Sequence, residues 1–315
     1  MKIVIPDDYQ DCVRTLDAFA KLEGHDITIH NDTVTDLDAL TERFHDAEAL
    51  VLIRERTPIT AELLARLPNL KAISQTGGGA AHVDMDACRR QGVTVMAGTG
   101  SPHAAAELTW GLIMAAMRHI PQEFENLKAG RWQHTLGTGL KGRTLGIFGY
   151  GKIGRLMARY GQAFEMKVLV WGREGTRARA AEDGIEVTKS QDELFARSDV
   201  LSLHLRLNDG TRGIVTADHL ACMKPTALLV NTSRAPLIES GALETALRAG
   251  RPGQAAVDVF DEEPVTHHPL LELPNFLATP HLGYVEKDSY ELYFGDAFDN
   301  LLAFAAGRPV TNLAE

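Results

Sequence analysis

Short β-rich runs separated by helical stretches recur in two series along this chain, and that rhythm limits its fold more than any other feature. The runs KIVIP, DITIH, ALVLI, KAISQT and VTVMA occupy the first hundred residues, with segments such as ITAELLARL between them. A second series follows: TLGIFG, KVLVW, DVLSLHL, ALLVNTS, QAAVDVF and NFLATP. Strands alternating with helices pair in parallel and are covered on both faces, so each series implies a doubly wound unit. With 315 residues, 44% of them hydrophobic, the chain can fill two cores. The expected fold class is α/β, with two doubly wound parallel-sheet domains.

Between the series, SPHAAAELTWGLIMAAMRHI opens with Ser101 as an N-cap and Pro102 at the first helical position. It predicts a long helix from Ser101 to about Arg118 that joins the domains. Its apolar content exceeds what one domain needs, which makes it a candidate for pairing two copies in a homodimer. The stretch KDSYELYFGDAFDNLLAFAAG also reads as helix, stops near Gly307 and carries the chain back to the first domain. The expected division is 1–100 plus 284–315 for one domain and 101–283 for the other.

A formal net charge of −10 and a pI of about 5.7 oppose broad contact with nucleic-acid phosphates or anionic lipid. MKIVIPDD runs from a strand into acid, without the apolar core and cleavage site of a signal peptide. The most apolar segment, LTWGLIMAAM, falls far short of the ~20 residues a membrane span requires. Cys12, Cys88 and Cys222 are widely spaced and fit buried thiols in a reducing compartment. The expectation is a soluble cytoplasmic protein with neither a membrane nor a nucleic-acid partner.

TLGIFGYGKIGRLMARYGQAF places Gly149, Gly151 and Gly154 between a strand and a helix. In that setting the first glycine permits a tight turn and the second lets backbone approach a pyrophosphate. The third lets helix pack on strand, and the helix N-terminus faces the anion. Gly149, Gly151, Lys152, Ile153 and Gly154 are therefore candidate dinucleotide-binding residues. An acidic ribose-binding residue is expected about twenty positions on, and Glu174 stands there by counting. The strand KVLVW should end near Trp171, however, which gives the ribose-facing place to Gly172 and Arg173. Glycine leaves room for a 2′-phosphate and arginine offers a planar charged donor, the alternative being a solvated loop arginine. NADP(H) is the favoured cofactor, with NAD(H) second.

The chain resembles the D-isomer-specific 2-hydroxyacid dehydrogenases over essentially its whole length. LGIFGYGKIG is similar to that family's cofactor loop and LLVNTSRAPLI to the segment carrying its arginine. AAVDVFDEEP is similar to the segment carrying its acid, and ATPHLG to the one carrying its histidine. The resemblance implies a Rossmann cofactor domain and a flavodoxin-like substrate domain. It makes Arg234 the binder of a substrate carboxylate, His281 the proton donor and acceptor, and Glu263 the acid that holds the histidine. The chemistry of 2-oxo acid reduction asks for those residue types: hydride goes to carbon, a proton to oxygen, and histidine exchanges protons near neutral pH.

The resemblance further implies that Asp258 holds the nicotinamide carboxamide, and Thr232 joins the cofactor-side candidates. Gly78 and Gly79, in SQTGGGAAHVD, would present backbone N–H groups to the carboxylate. Arg54 matches a substrate-side family position, with a surface arginine as the other reading. Two departures bear on substrate choice. Ala81-His82 replaces the family's Asp-Asn pair, with His82 read as a hydrogen-bonded loop histidine, and Arg206 replaces a frequent proline. THHP reads as solvated surface, and no metal site is expected. The implied substrate is a small 2-oxo acid such as glyoxylate, hydroxypyruvate or pyruvate. A second function, that of an NAD(H)-sensing protein resembling C-terminal-binding corepressors, is opposed by the retention of all three catalytic types and by the lack of long disordered tails.

Overall fold

The computed structural model describes residues 1–310 and residue 313. The chain forms two compact units: Met1–Ser101 with the segment from Glu286, and Pro102–Val285.

In the first unit, β1 (Lys2–Ile5), β2 (Asp26–Ile29), β3 (Ala49–Leu52), β4 (Ala72–Gln75) and β5 (Thr94–Ala97) form one sheet in the order β2-β1-β3-β4-β5. Every pairing is parallel. That is the flavodoxin-like order. The central β3 and β4 are buried along their full length, whereas the edge strand β2 alternates between exposed and half-buried residues. On one face Leu50, Leu52 and Ile73 pack with Phe44, Leu63 and Leu64. The helix Lys287–Ala305 packs against β4. The Ser74 hydroxyl donates to the Ala297 carbonyl at 2.8 Å, and Asn300 Nδ2 donates to the Ala97 carbonyl at 3.2 Å. Glu286 caps this helix, its carboxylate accepting from the Asp288 and Ser289 amides.

The second unit contains β6 (Thr144–Phe148), β7 (Lys167–Trp171), β8 (Glu186–Val187), β9 (Val200–Leu203), β10 (Leu228–Asn231), β11 (Gln254–Val257) and β12 (Phe276–Ala278). Their order is β12-β11-β10-β9-β6-β7-β8, all parallel. Alternate residues go to opposite faces: Ile147, Val170, Leu228, Val230 and Ala256 to one core, and Phe148, Leu169, Leu229, Ala255 and Val257 to the other. Two buried faces explain why these strands read as continuous apolar runs. Strand order reverses between β9 and β6, so the crevice beyond the C-terminal ends of these strands is where such a sheet takes ligands.

The helix after the first series spans His103–Met117. Its first internal bond runs from the Ala106 amide to the Pro102 carbonyl, so it begins one residue later than Ser101-Pro102 predicts, and Pro102 offers no side-chain cap. Its apolar side chains, including Leu112, Ile113 and Met117 and the half-buried Trp110, serve the core of their own unit. Exposed apolar surface lies instead on the next helix, Ile120–Lys128, and just beyond it. Ile120, Phe124 and Leu127 are more than half exposed, and Trp132 and Leu136 reach 77% and 94%. No helix among the described residues is long and apolar enough to cross a membrane.

Candidate active site

At the end of β6 the chain turns sharply into the helix Lys152–Ala163. Gly149 has φ +98°, and a Cβ there would collide with the His204 carbonyl. Only glycine fits this turn. The Gly149 amide donates to the Trp171 carbonyl at 2.9 Å and the His204 amide to the Phe148 carbonyl at 2.8 Å, tying the turn to the ends of β7 and β9. Gly151 and Lys152 are exposed at the helix start, and Gly154 is packed against the Gly149 carbonyl. A cavity of about 460 Å³ opens there, lined by Gly151, Lys152, Arg155, Arg159 and Arg179 among others. Free amides at a helix N-terminus beside this many cations suit a phosphate-bearing ligand.

β7 ends at Trp171, followed by buried Gly172 and by Arg173 in an extended conformation ahead of the helix Glu174–Glu182. Glu174 is thus drawn into the helix and does not occupy the end of the strand. Arg173 is exposed, and its side chain has no partner among the described residues. The Arg177 guanidinium lies over the Trp171 ring, 4.8 Å from its centroid.

The remaining candidates cluster at the C-terminal ends of β10, β11 and β12. After β10 the Asn231 side chain folds the turn by donating to the Arg234 carbonyl at 2.9 Å and accepting the Ser233 amide at 3.0 Å. Thr232 shares a 2.7 Å hydrogen bond with Thr109. Glu263 accepts the Phe260 amide at 2.9 Å through Oε1 and meets His281 Nδ1 at 2.6 Å through Oε2. Burial pushes the Glu263 carboxyl up, but the His281 hydrogen bond and charge, the Phe260 amide and the Arg234 charge together hold it below its ordinary value. With Nδ1 turned to Glu263, Nε2 is the ring nitrogen left to exchange a proton. The structure therefore gathers Arg234, Glu263 and His281 at one sheet edge, the edge that also carries the glycine turn.

The segment of residues 110–283 matches the family model for the D-isomer specific 2-hydroxyacid dehydrogenase NAD binding domain. The chain belongs to the D-isomer-specific 2-hydroxyacid dehydrogenase family. It is 36% identical over 291 residues to a glyoxylate reductase of Aeropyrum pernix, covering 88% of this chain and 85% of that one. It is 35% identical over 287 residues to a D-3-phosphoglycerate dehydrogenase of Methanocaldococcus jannaschii. That alignment takes in 90% of this chain but 53% of the relative, so the chain spans about half the length of that dehydrogenase. Among solved structures, a phosphoglycerate oxidoreductase from Vibrio cholerae superposes with a TM-score of 0.95 at 57% identity, covering 98% of this chain and 99% of the other. The seven-stranded unit is accordingly the family's nicotinamide-cofactor domain.

Several groups of this unit have surroundings that a motif reading does not show. Asp258, at the end of β11, is fully buried, and burial pushes its carboxyl above the ordinary value against the lowering effect of its donors. Those donors are the Thr279 hydroxyl and the Leu282 and Gly283 amides. Nothing but the glycine of ATPHLG hints at this set. His204 donates or accepts at 2.8 Å with Ser202, and burial pushes its pKa down to about 4, so the ring is neutral.

In the five-stranded unit, Arg54 is built in rather than free on the surface. It has φ +53°, its amide donates to Thr76 Oγ1 at 2.9 Å, and its carbonyl accepts from Gln75 Nε2 at 2.7 Å. Gly78 and Gly79 are exposed in the loop after β4. His82 departs from expectation: both ring nitrogens are buried without a hydrogen-bond partner, and burial lowers its pKa, so it is a neutral packed histidine. His268 accepts the Leu270 amide at 3.2 Å and caps the short turn Pro269–Glu272, a structural use of a residue that reads as solvated.

Proposed function

We propose that the chain transfers hydride between NADP(H), with NAD(H) as the weaker alternative, and a small 2-oxo acid or D-2-hydroxy acid. The observation that carries this reading is the 2.6 Å His281–Glu263 pair at the same sheet edge as the glycine turn. In reduction, hydride reaches the carbonyl carbon while His281 Nε2 gives a proton to the carbonyl oxygen; in oxidation the same nitrogen takes it back. Glu263 fixes the tautomer and the orientation of the ring. Arg234 clamps the substrate carboxylate with its planar fork. Gly149, Gly151, Lys152, Ile153, Gly154 and Thr232 serve the cofactor. Within the five-stranded unit, Arg54 and the Gly78 and Gly79 amides are the substrate-binding candidates.

Preference for NADP(H) rests on Gly172 and the unpartnered Arg173 at the start of a helix, where a 2′-phosphate would meet both a guanidinium and free amides. The exposed residues Ile120, Phe124, Leu127, Trp132 and Leu136 support a homodimer, through a surface next to the predicted helix rather than on it. A cytoplasmic location fits the unpaired cysteines, although only Cys88 is buried as expected, Cys12 being half-buried and Cys222 exposed. The test is spectrophotometric: glyoxylate, hydroxypyruvate and pyruvate against NADPH and NADH. Turnover of at least one acid, faster with NADPH, is expected, and oxidation of neither cofactor with any acid contradicts the proposal.

A further inference from the structure

His281 stands in a left-handed backbone conformation, φ +53°, which a residue with a β-carbon adopts only when its surroundings impose it. Two contacts on its own turn contribute little: its amide reaches the Thr279 carbonyl at 3.0 Å, and the Tyr284 ring lies edge-on at 5.4 Å. The stronger constraint comes from the neighbouring strand. Asp258 Oδ1 accepts the Thr279 hydroxyl at 2.5 Å and the Leu282 amide at 2.7 Å, and Oδ2 accepts the Gly283 amide at 2.8 Å. These donors lie on both sides of His281, two residues before it and one and two after. A Cβ at Gly283 would press to 3.1 Å from Oδ2, so a larger residue there would have to push the carboxylate back by a few tenths of an ångström.

We propose that Asp258 is the positioning residue for His281: its carboxylate clamps the turn from Thr279 to Gly283 and so aims the imidazole, with Glu263 holding Nδ1. Bonds from a buried carboxylate to hydroxyl and amide donors are charge-assisted and stiff, which suits a group that must hold geometry. Three of the carboxylate's acceptor positions are spent on this turn, so ordering the histidine is a task it performs alongside the one open position that the nicotinamide carboxamide would take.

This inference rests on His281 being the acid/base group, and the experiment separates the two claims. Asp258→Asn sets an amide donor against the Gly283 N–H, and Thr279→Val removes one donor at a half-buried site. For each purified variant three quantities are measured: kcat for 2-oxo acid reduction at saturating cofactor, the Kd of the reduced cofactor by fluorescence, and the His281 ring signals by NMR. Asp258→Asn should lose about 10²-fold in kcat even at saturating cofactor, the scale expected of a misaimed catalytic group, with the His281 signals shifted. Thr279→Val should do the same to a smaller degree, and it carries the test if Asp258→Asn does not fold. A weakened cofactor Kd with unchanged kcat at saturation, or His281 signals identical to wild type, overturns the inference. If His281→Ala keeps its turnover, the acid/base reading fails, while the His281 signals in the Asp258 and Thr279 variants still decide whether the clamp exists.

Discussion

His281 Nδ1 and Glu263 Oε2 are 2.6 Å apart, and Arg234 stands close enough to help hold that carboxylate ionised. Stability and function both follow from the sign of the Glu263 shift. A carboxyl held below its ordinary value contributes stability that is present above the unfolded pKa, about 4.3, and is lost as pH falls through the lower folded value. Replacing Glu263 by Gln should therefore remove the stability that the carboxylate contributes above about pH 4.3 and lower kcat by ~10²-fold or more, because the imidazole loses the group that fixes its tautomer and orientation. Initial rates and denaturant stability across pH for wild type and Glu263→Gln check this; wild-type kcat in the folded variant, or an unchanged pH dependence of stability, contradicts it.

Arg234→Lys should raise KM for the 2-oxo acid and lower kcat together, since an ammonium cannot reproduce a two-pronged carboxylate contact. Steady-state kinetics at saturating cofactor give both constants. Wild-type values in the variant would move the carboxylate site to another cation, with Arg54 the next to replace.

For cofactor choice, the informative change is at Arg173. A Cβ at Gly172 would come within 2.7 Å of the Thr176 methyl, so restoring a carboxylate at that position confuses charge with packing. Arg173→Ala should reduce kcat/KM for NADPH by about tenfold or more, the effect of losing one charge-assisted contact, and leave NADH nearly unaffected. A wild type that prefers NADH would make Arg173 a solvated loop residue.

Leu136 and Phe124 should each matter for assembly. Analytical ultracentrifugation at micromolar concentration should find wild type as a dimer and the double variant Phe124→Asp/Leu136→Asp as a folded monomer. A wild-type monomer would contradict the assignment.

Much of the architecture is legible in sequence because a parallel sheet covered on both faces needs unbroken apolar strands. Runs such as ALLVN and ALVLI have few other uses. The strand Glu186–Val187 has no such signature: two residues at a sheet edge bury too little to leave a pattern. The apolar residues of His103–Met117 are visible, but not where their partners lie. They fill their own core, and it is Ile120, Phe124 and Leu127, at helical spacing, that stay exposed. At the site, Arg234, Glu263, His281 and Asp258 can all be matched by motif, whereas the groups around Asp258 cannot. Its three donors come from a segment more than twenty residues away, and only the folded sheet brings them together. His82 looks like a polar loop residue for the same reason: burial is a tertiary property.

The central claim, that His281 supplies and accepts the proton of a hydride transfer, is tested most directly by kcat of purified His281→Ala with its best 2-oxo acid at saturating reduced cofactor. The loss of a general acid predicts a fall of ~10²–10⁴-fold with the cofactor still bound. Turnover near wild type in a folded, cofactor-binding variant would contradict it.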